Sequence, residues 1–165
     1  TTKGDMVDYN TERQRLGIGT TGQVLAVAGN LPVWSDASSI THSIAMEIAC
    51  SDETTALTTG TAKVTFRMPY AMTLNAGIAG IRASLTGAGS TSGVTTIDVN
   101  QGEASILSTK LTIDYGEFTS YTGATPVVIS TSALTDNNYL TVDVDGLTGG
   151  ADETGLKLQL IGTLT

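Results

Sequence analysis

From Ile44 onward, apolar residues fall on every second position, segment after segment. Ile44, Met46 and Ile48 share one side of an extended chain, with Ala45, Glu47 and Ala49 on the other. Ala62, Val64, Phe66 and Met68 oppose Lys63, Thr65 and Arg67, and Ile97 and Val99 oppose Thr96, Asp98 and Asn100. Leu111 and Ile113 oppose Thr112 and Asp114; Leu140, Val142 and Val144 oppose Thr141, Asp143 and Asp145. Leu156, Leu158 and Leu160 oppose Lys157 and Gln159. A period of two belongs to a strand with one buried face. Such strands cover their apolar faces by packing as two sheets. Weaker strands are predicted over 72–85, 105–108 and 127–130, which makes eight or nine in all. Turn residues separate them: Thr59-Gly60, Asn100-Gln101-Gly102, Tyr115-Gly116, Asp136-Asn137-Asn138 and Gly149-Gly150. No intervening segment reads as a ten-residue amphipathic helix, so βαβ units are excluded. The prediction for residues 41–165 is an antiparallel β-sandwich, most simply a jelly roll.

Residues 1–40 read differently. Leu16, Ile18, Val24, Leu25, Val27, Leu31 and Trp34 are interrupted by Gly17, Gly19, Gly22 and Gly29, and no helical period is sustained. About 40 residues are too few to close a core alone, yet this apolar content is too high for a solvated linker. Burial against other copies of the same segment resolves the conflict. The expectation is an interchain, β-rich stem. Closed cyclic symmetry avoids open-ended association, and the glycines let neighbouring backbones approach. The small polar run Ser35–Ser39 marks the boundary with the head.

Composition narrows the function. The 165 residues carry 8 Lys+Arg against 16 Asp+Glu, a net charge of −8. That disfavours binding to nucleic-acid phosphates and to anionic membranes, and no apolar run approaches a membrane span. One cysteine, Cys50, excludes an intrachain disulfide framework, and one histidine, His42, leaves little for His-based catalysis. The chain opens at Thr1 rather than methionine, as a fragment would.

The run Thr2-Lys3-Gly4-Asp5, Tyr9, Arg15-Leu16, Gly19-Thr20-Thr21-Gly22-Gln23-Val24-Leu25, then Pro32 and Trp34, resembles a short module of phage tail fibres. The later part is similar to a β-rich head of phage fibre-like proteins. Its carriers are Leu57–Gly60, Lys63–Pro69, the SILSTKLT stretch of 105–112, and Gly155-Leu156-Lys157 with Leu160–Thr163. The resemblance implies a virion protein, a homotrimer with an N-terminal stem, whose head contacts the host surface, often a glycan. It leaves open a capsid or tail decoration that contacts only other virion proteins. No cofactor is implied.

Candidate chemistry is sparse. His42 on a threefold axis is one metal candidate, and Asp143 with Asp145, two carboxylates on one strand face, is another. For both, an ordinary polar surface is the plainer reading, with Lys63, Arg67 or Lys157 as partners for the acids. Asp98 and Asp114 are the pair a polysaccharide-cleaving enzyme would need, but nothing in the sequence brings them together, and no catalytic residue is assigned. Tyr115, Phe118 and Tyr121 cluster between glycines in one predicted loop. They are the candidates for stacking on sugar rings; packing at the sandwich end or at a subunit interface is the alternative. Tyr70 and Tyr139 read as core caps, and Cys50 as a small buried hydrophobe.

Overall fold

A computed structural model describes residues 6–9, 13–37 and 42–165. The chain forms two compact units, divided between His42 and Ser43.

The first unit is built from hairpins. β1 (Met6–Tyr9) pairs antiparallel with β2 (Arg13–Leu16), and β3 (Gln23–Ala28) with β4 (Leu31–Asp36). Gly29 and Asn30 join β3 to β4 with φ of 58° and 70°. A two-residue loop with both φ positive is the turn whose twist matches a hairpin. None of the described apolar side chains here is fully buried, and Ile18, Leu25 and Val27 are exposed. A two-stranded hairpin has no second layer to cover its faces.

The second unit is all-β. β5 (Ser43–Ala49), β16 (Lys157–Leu164), β8 (Ile81–Ser84) with β7 (Met72–Leu74), and β14 (Ala133–Leu134) lie in that order in one sheet. β6 (Gly60–Arg67), β15 (Tyr139–Gly146), β9 (Val94–Gln101), and then β12 (Leu111–Asp114) with β10 (Ala104–Ser105) form the other. β11 (Leu107–Thr109) pairs with β13 (Val128–Ile129) beside them. Every pairing is antiparallel, and the chain crosses between the sheets from β5 to β6 to β7, from β8 to β9, and from β14 to β15 to β16. This is the strand order of a jelly roll.

The alternating residues meet between the sheets. Ile97, Val99, Leu111, Ile113, Leu140, Val142 and Val144 from one sheet pack against Met72, Ile81, Ala83, Leu158 and Leu160 from the other, all buried. Cys50 joins this core, and burial pushes its thiol up to about 11, above the reach of ordinary thiolate chemistry.

Three expectations are corrected. The head holds twelve strands rather than eight or nine, because 72–85 is broken by a 3-10 turn at Gly77–Ala79 and short strands flank residue 106. Ala62 does not point inward with Val64: it is exposed, in the left-handed region at φ 49°, beside a register shift between β6 and β15. Asp98 is not on a wet face; it is 5% exposed and pairs with Lys110. Gly19 also packs within its own chain: a Cβ there would lie 2.5 Å from the Trp34 ring, whose Nε1 donates to the Gly17 carbonyl at 2.6 Å. Gly22 is needed for a positive φ of 89°.

Candidate functional site

The topology sorts the loops of the second unit. Ser43 opens β5 opposite Thr163, so the chain enters at the end shared by residues 68–71, 102–103 and 135–138. The four long connections, 50–59, 85–93, 115–127 and 147–156, gather at the opposite end.

Those four are tied to one another. Leu57 N donates to the Glu153 carbonyl, Thr86 N to the Thr154 carbonyl, Gly116 N to the Gly89 carbonyl and Gly149 N to the Ser92 carbonyl, all at 2.7–2.9 Å. Glu153 lies beneath them, fully buried. Its Oε1 accepts from the Thr95 hydroxyl at 2.7 Å and from Thr148 N at 2.8 Å. Gly89 passes directly over it, where a Cβ would sit 2.8 Å from that oxygen. Burial pushes the Glu153 carboxyl up, but these donors outweigh it and hold it low.

Three more carboxyls at this end are held below their ordinary range. The Thr55 and Thr54 N–H groups bring Asp52 down to about 2, Lys157 and the Thr86 hydroxyl lower Glu53, and Ser90 lowers Asp152. A depressed folded pKa stabilises the fold above the unfolded value, and the contribution is lost as pH falls through the folded one. The melting temperature should therefore drop between about pH 4 and pH 2, with amide exchange rising first in these four loops. Glu153→Ala should unpair the Thr95 hydroxyl and the Thr148 N–H, at about 1–3 kcal/mol each. Urea denaturation at neutral pH checks the size of that loss.

The three candidate aromatics lie in the 115–127 connection, each more than half exposed. They do not pack the sandwich interior. The backbone beneath them is fixed. Tyr115 N donates to the Gly93 carbonyl, Leu85 N to the Phe118 carbonyl and Ser120 N to the Ala83 carbonyl, while Ser120 Oγ accepts from Ala83 N at 2.8 Å. Residues 118–120 thereby run as an extra edge along β8. Tyr115 and Phe118 stand at the loop end of the sandwich. Tyr121 lies on the flank, its ring 5.1 Å from the Arg82 guanidinium. The Glu117 carboxylate accepts the Thr122 hydroxyl. Exposed rings on an anchored backbone, edged by hydroxyls and one guanidinium, suit a ligand with apolar faces and a polar rim.

The acidic candidates are engaged otherwise. Lys110 Nζ donates to Asp145 at 2.6 Å and pairs with Asp98 at 3.1 Å, and both raise its pKa. Lys110 was not among the cations expected there. Asp143 accepts from Ala62 N at 2.7 Å and from Asn100 Nδ2 at 3.0 Å. His42 is exposed. Among the described residues, no group of three His, Cys, Asp or Glu side chains could hold a metal ion. Asp114 lies opposite Val94, four residues along β9 from Asp98, or about 13 Å at 3.3 Å per residue. Paired-carboxylate hydrolysis needs roughly 5–9.5 Å, so Asp98 and Asp114 are not assembled as a catalytic pair.

Sequence reasoning missed one feature. A depression of about 270 Å3 opens on the outer face of the β6-β15-β9 sheet, lined by Thr61, Ala62, Asn100, Glu103, Thr141 and Asp143 together with Gly102 and Tyr139. Tyr139, expected to cap the core, is half-buried in its wall. The turn residues Thr59-Gly60 were the only signal that β6 departs from regular alternation at this point. Compared with known proteins, the chain matches no family model, no curated protein and no solved structure.

Proposed function

We propose that the protein is a virion component of the phage-fibre kind. It assembles in the host cytoplasm as a homotrimer through its first forty residues, and its jelly-roll head contacts the bacterial surface. One observation carries this reading: the head receives its chain at one end and presents its exposed aromatic loop toward the other. In this reading the loop-bearing end of the head, opposite the end where β5 begins, is the part that meets a cell. The spaced motif of the opening residues and the exposed Ile18, Leu25 and Val27 support it from the other end of the chain. Three weak contacts repeated on one particle multiply through avidity, so no deep pocket is required.

Fluorescently labelled full chain, incubated with a panel of bacterial strains, tests the reading. Adsorption to a subset of strains is expected. Replacing Tyr115, Phe118 and Tyr121 together by alanine should weaken it on the order of 10²-fold. Detection on purified particles without adsorption to any strain would favour a decoration role instead, in contact only with other virion proteins. Shortened polysaccharide chains after incubation would speak for cleavage.

A further inference from the structure

The bulge in β6 and the depression beside it have a chemistry of their own. We propose that this depression is a binding subsite for a neutral sugar ring. The proposal rests on the host-surface reading only for the source of that sugar.

The backbone is bent to build it. Ala62 sits at φ 49°, a region that residues with a Cβ avoid. The β6–β15 register shifts between Val142 and Val144, around Asp143. Bulges of this kind re-aim side chains, and strained backbone gathers where ligands bind. Here the bulge turns the Ala62 N–H onto Asp143 Oδ1 at 2.7 Å, while Asn100 Nδ2 holds Oδ2 at 3.0 Å. The carboxylate is thereby fixed between β6 and β9, and each oxygen keeps a lone pair for another donor. Asn100 Oδ1 and the Thr61 and Thr141 hydroxyls have no hydrogen-bond partner among the described residues. Tyr139 contributes ring surface to the same wall.

This set matches a polyol. A sugar hydroxyl donates once and accepts as well, so neighbouring hydroxyls can give protons to Asp143 and Asn100 and take them from threonine. The C–H face of the ring meets the tyrosine. Charge decides which sugar. Asp143 and Glu103 are the charged lining residues, and no cation lines the depression. Two carboxylates repel a uronic acid or a phosphorylated sugar and admit a neutral one. Among the described residues, no group of three His, Cys, Asp or Glu side chains is gathered here to hold a metal ion.

The test uses the 15N-labelled full chain, titrated separately with D-glucose, D-galactose, L-rhamnose, N-acetylglucosamine, D-glucuronate and calcium chloride. At least one neutral sugar should shift the amides of Ala62, Gly102 and Asp143 and the Asn100 side-chain NH2 saturably. D-Glucuronate should not. Asp143→Asn keeps an acceptor for the Ala62 N–H and should weaken binding at least tenfold. Thr141→Val preserves shape and should weaken it several-fold. Tyr121→Ala should leave it unchanged. Response to calcium alone, no response to any neutral sugar, or variants that bind like the parent would overturn the proposal. Strain adsorption separates the two ideas. Adsorption lost only in the aromatic-loop variant, with the depression silent, sinks the subsite and keeps the host-surface reading. Sugar binding at the depression without adsorption to any strain does the reverse.

Discussion

Changing Leu25 and Val27 to aspartate together is expected to turn a trimer into a monomer while the head stays folded. Both side chains lie on the same face of the β3–β4 hairpin, because Leu25 opposes Trp34 and Val27 opposes Pro32. Val27 is 76% exposed and Leu25 42% within a single chain, so neither contributes much to the fold of that chain. Burying a Val or Leu side chain contributes roughly 1.5–3 kcal/mol. In a trimer both contributions occur three times and are lost together. Two aspartates in their place would bring charge into an apolar contact. The association constant should fall on the order of 10³-fold or more, while the head's melting temperature is unchanged. Sedimentation velocity and thermal unfolding on the same samples separate assembly from folding. A monomeric parent chain would remove the basis for this expectation.

The second large effect falls on the central strand of the head. β16 pairs with β5 along one edge and with β7 and β8 along the other. Gly162 is where β7 comes closest: a Cβ there would run into the Thr73 carbonyl and lie 2.9 Å from Leu74 Cα. Both obstacles are backbone and cannot swing aside. Gly162→Val should therefore cost more than the ordinary 1–3 kcal/mol of overpacking, enough to unfold a domain of usual stability. Leu160→Ala, two residues away and fully buried, should cost about 2–5 kcal/mol through the cavity it leaves. Guanidinium titrations that rank Gly162→Val above Leu160→Ala would bear this out. A tolerated valine would mean that β7 is free to move away from β16.

The sandwich was legible because burial writes itself into alternation. Leu111–Asp114 and Leu140–Asp145 read directly as half-buried strands, and the structure places β12 and β15 there. Alternation failed where tertiary partners overrode it. Asp98 looked like a wet-face residue, yet Lys110 and the Ser105 hydroxyl, 2.6 Å away, let it lie under cover. Ala62 looked like an inward residue, but a bulge changes parity without leaving an apolar signature. The fixed carboxylate of Asp143 was illegible for the same reason, since its partners come from residues 62 and 100. The exposure of Tyr115, Phe118 and Tyr121 was a plain loop property. The hydrogen bonds from Tyr115, Ser120 and Leu85 that hold the loop depend on neighbours that no local pattern names.

The proposed trimer shares its opening forty residues among three chains. Multi-angle light scattering on the full chain across a dilution series tests it most directly. A constant mass of three chains is expected, falling to one when residues 1–40 are removed. A mass of one chain at every concentration would contradict it.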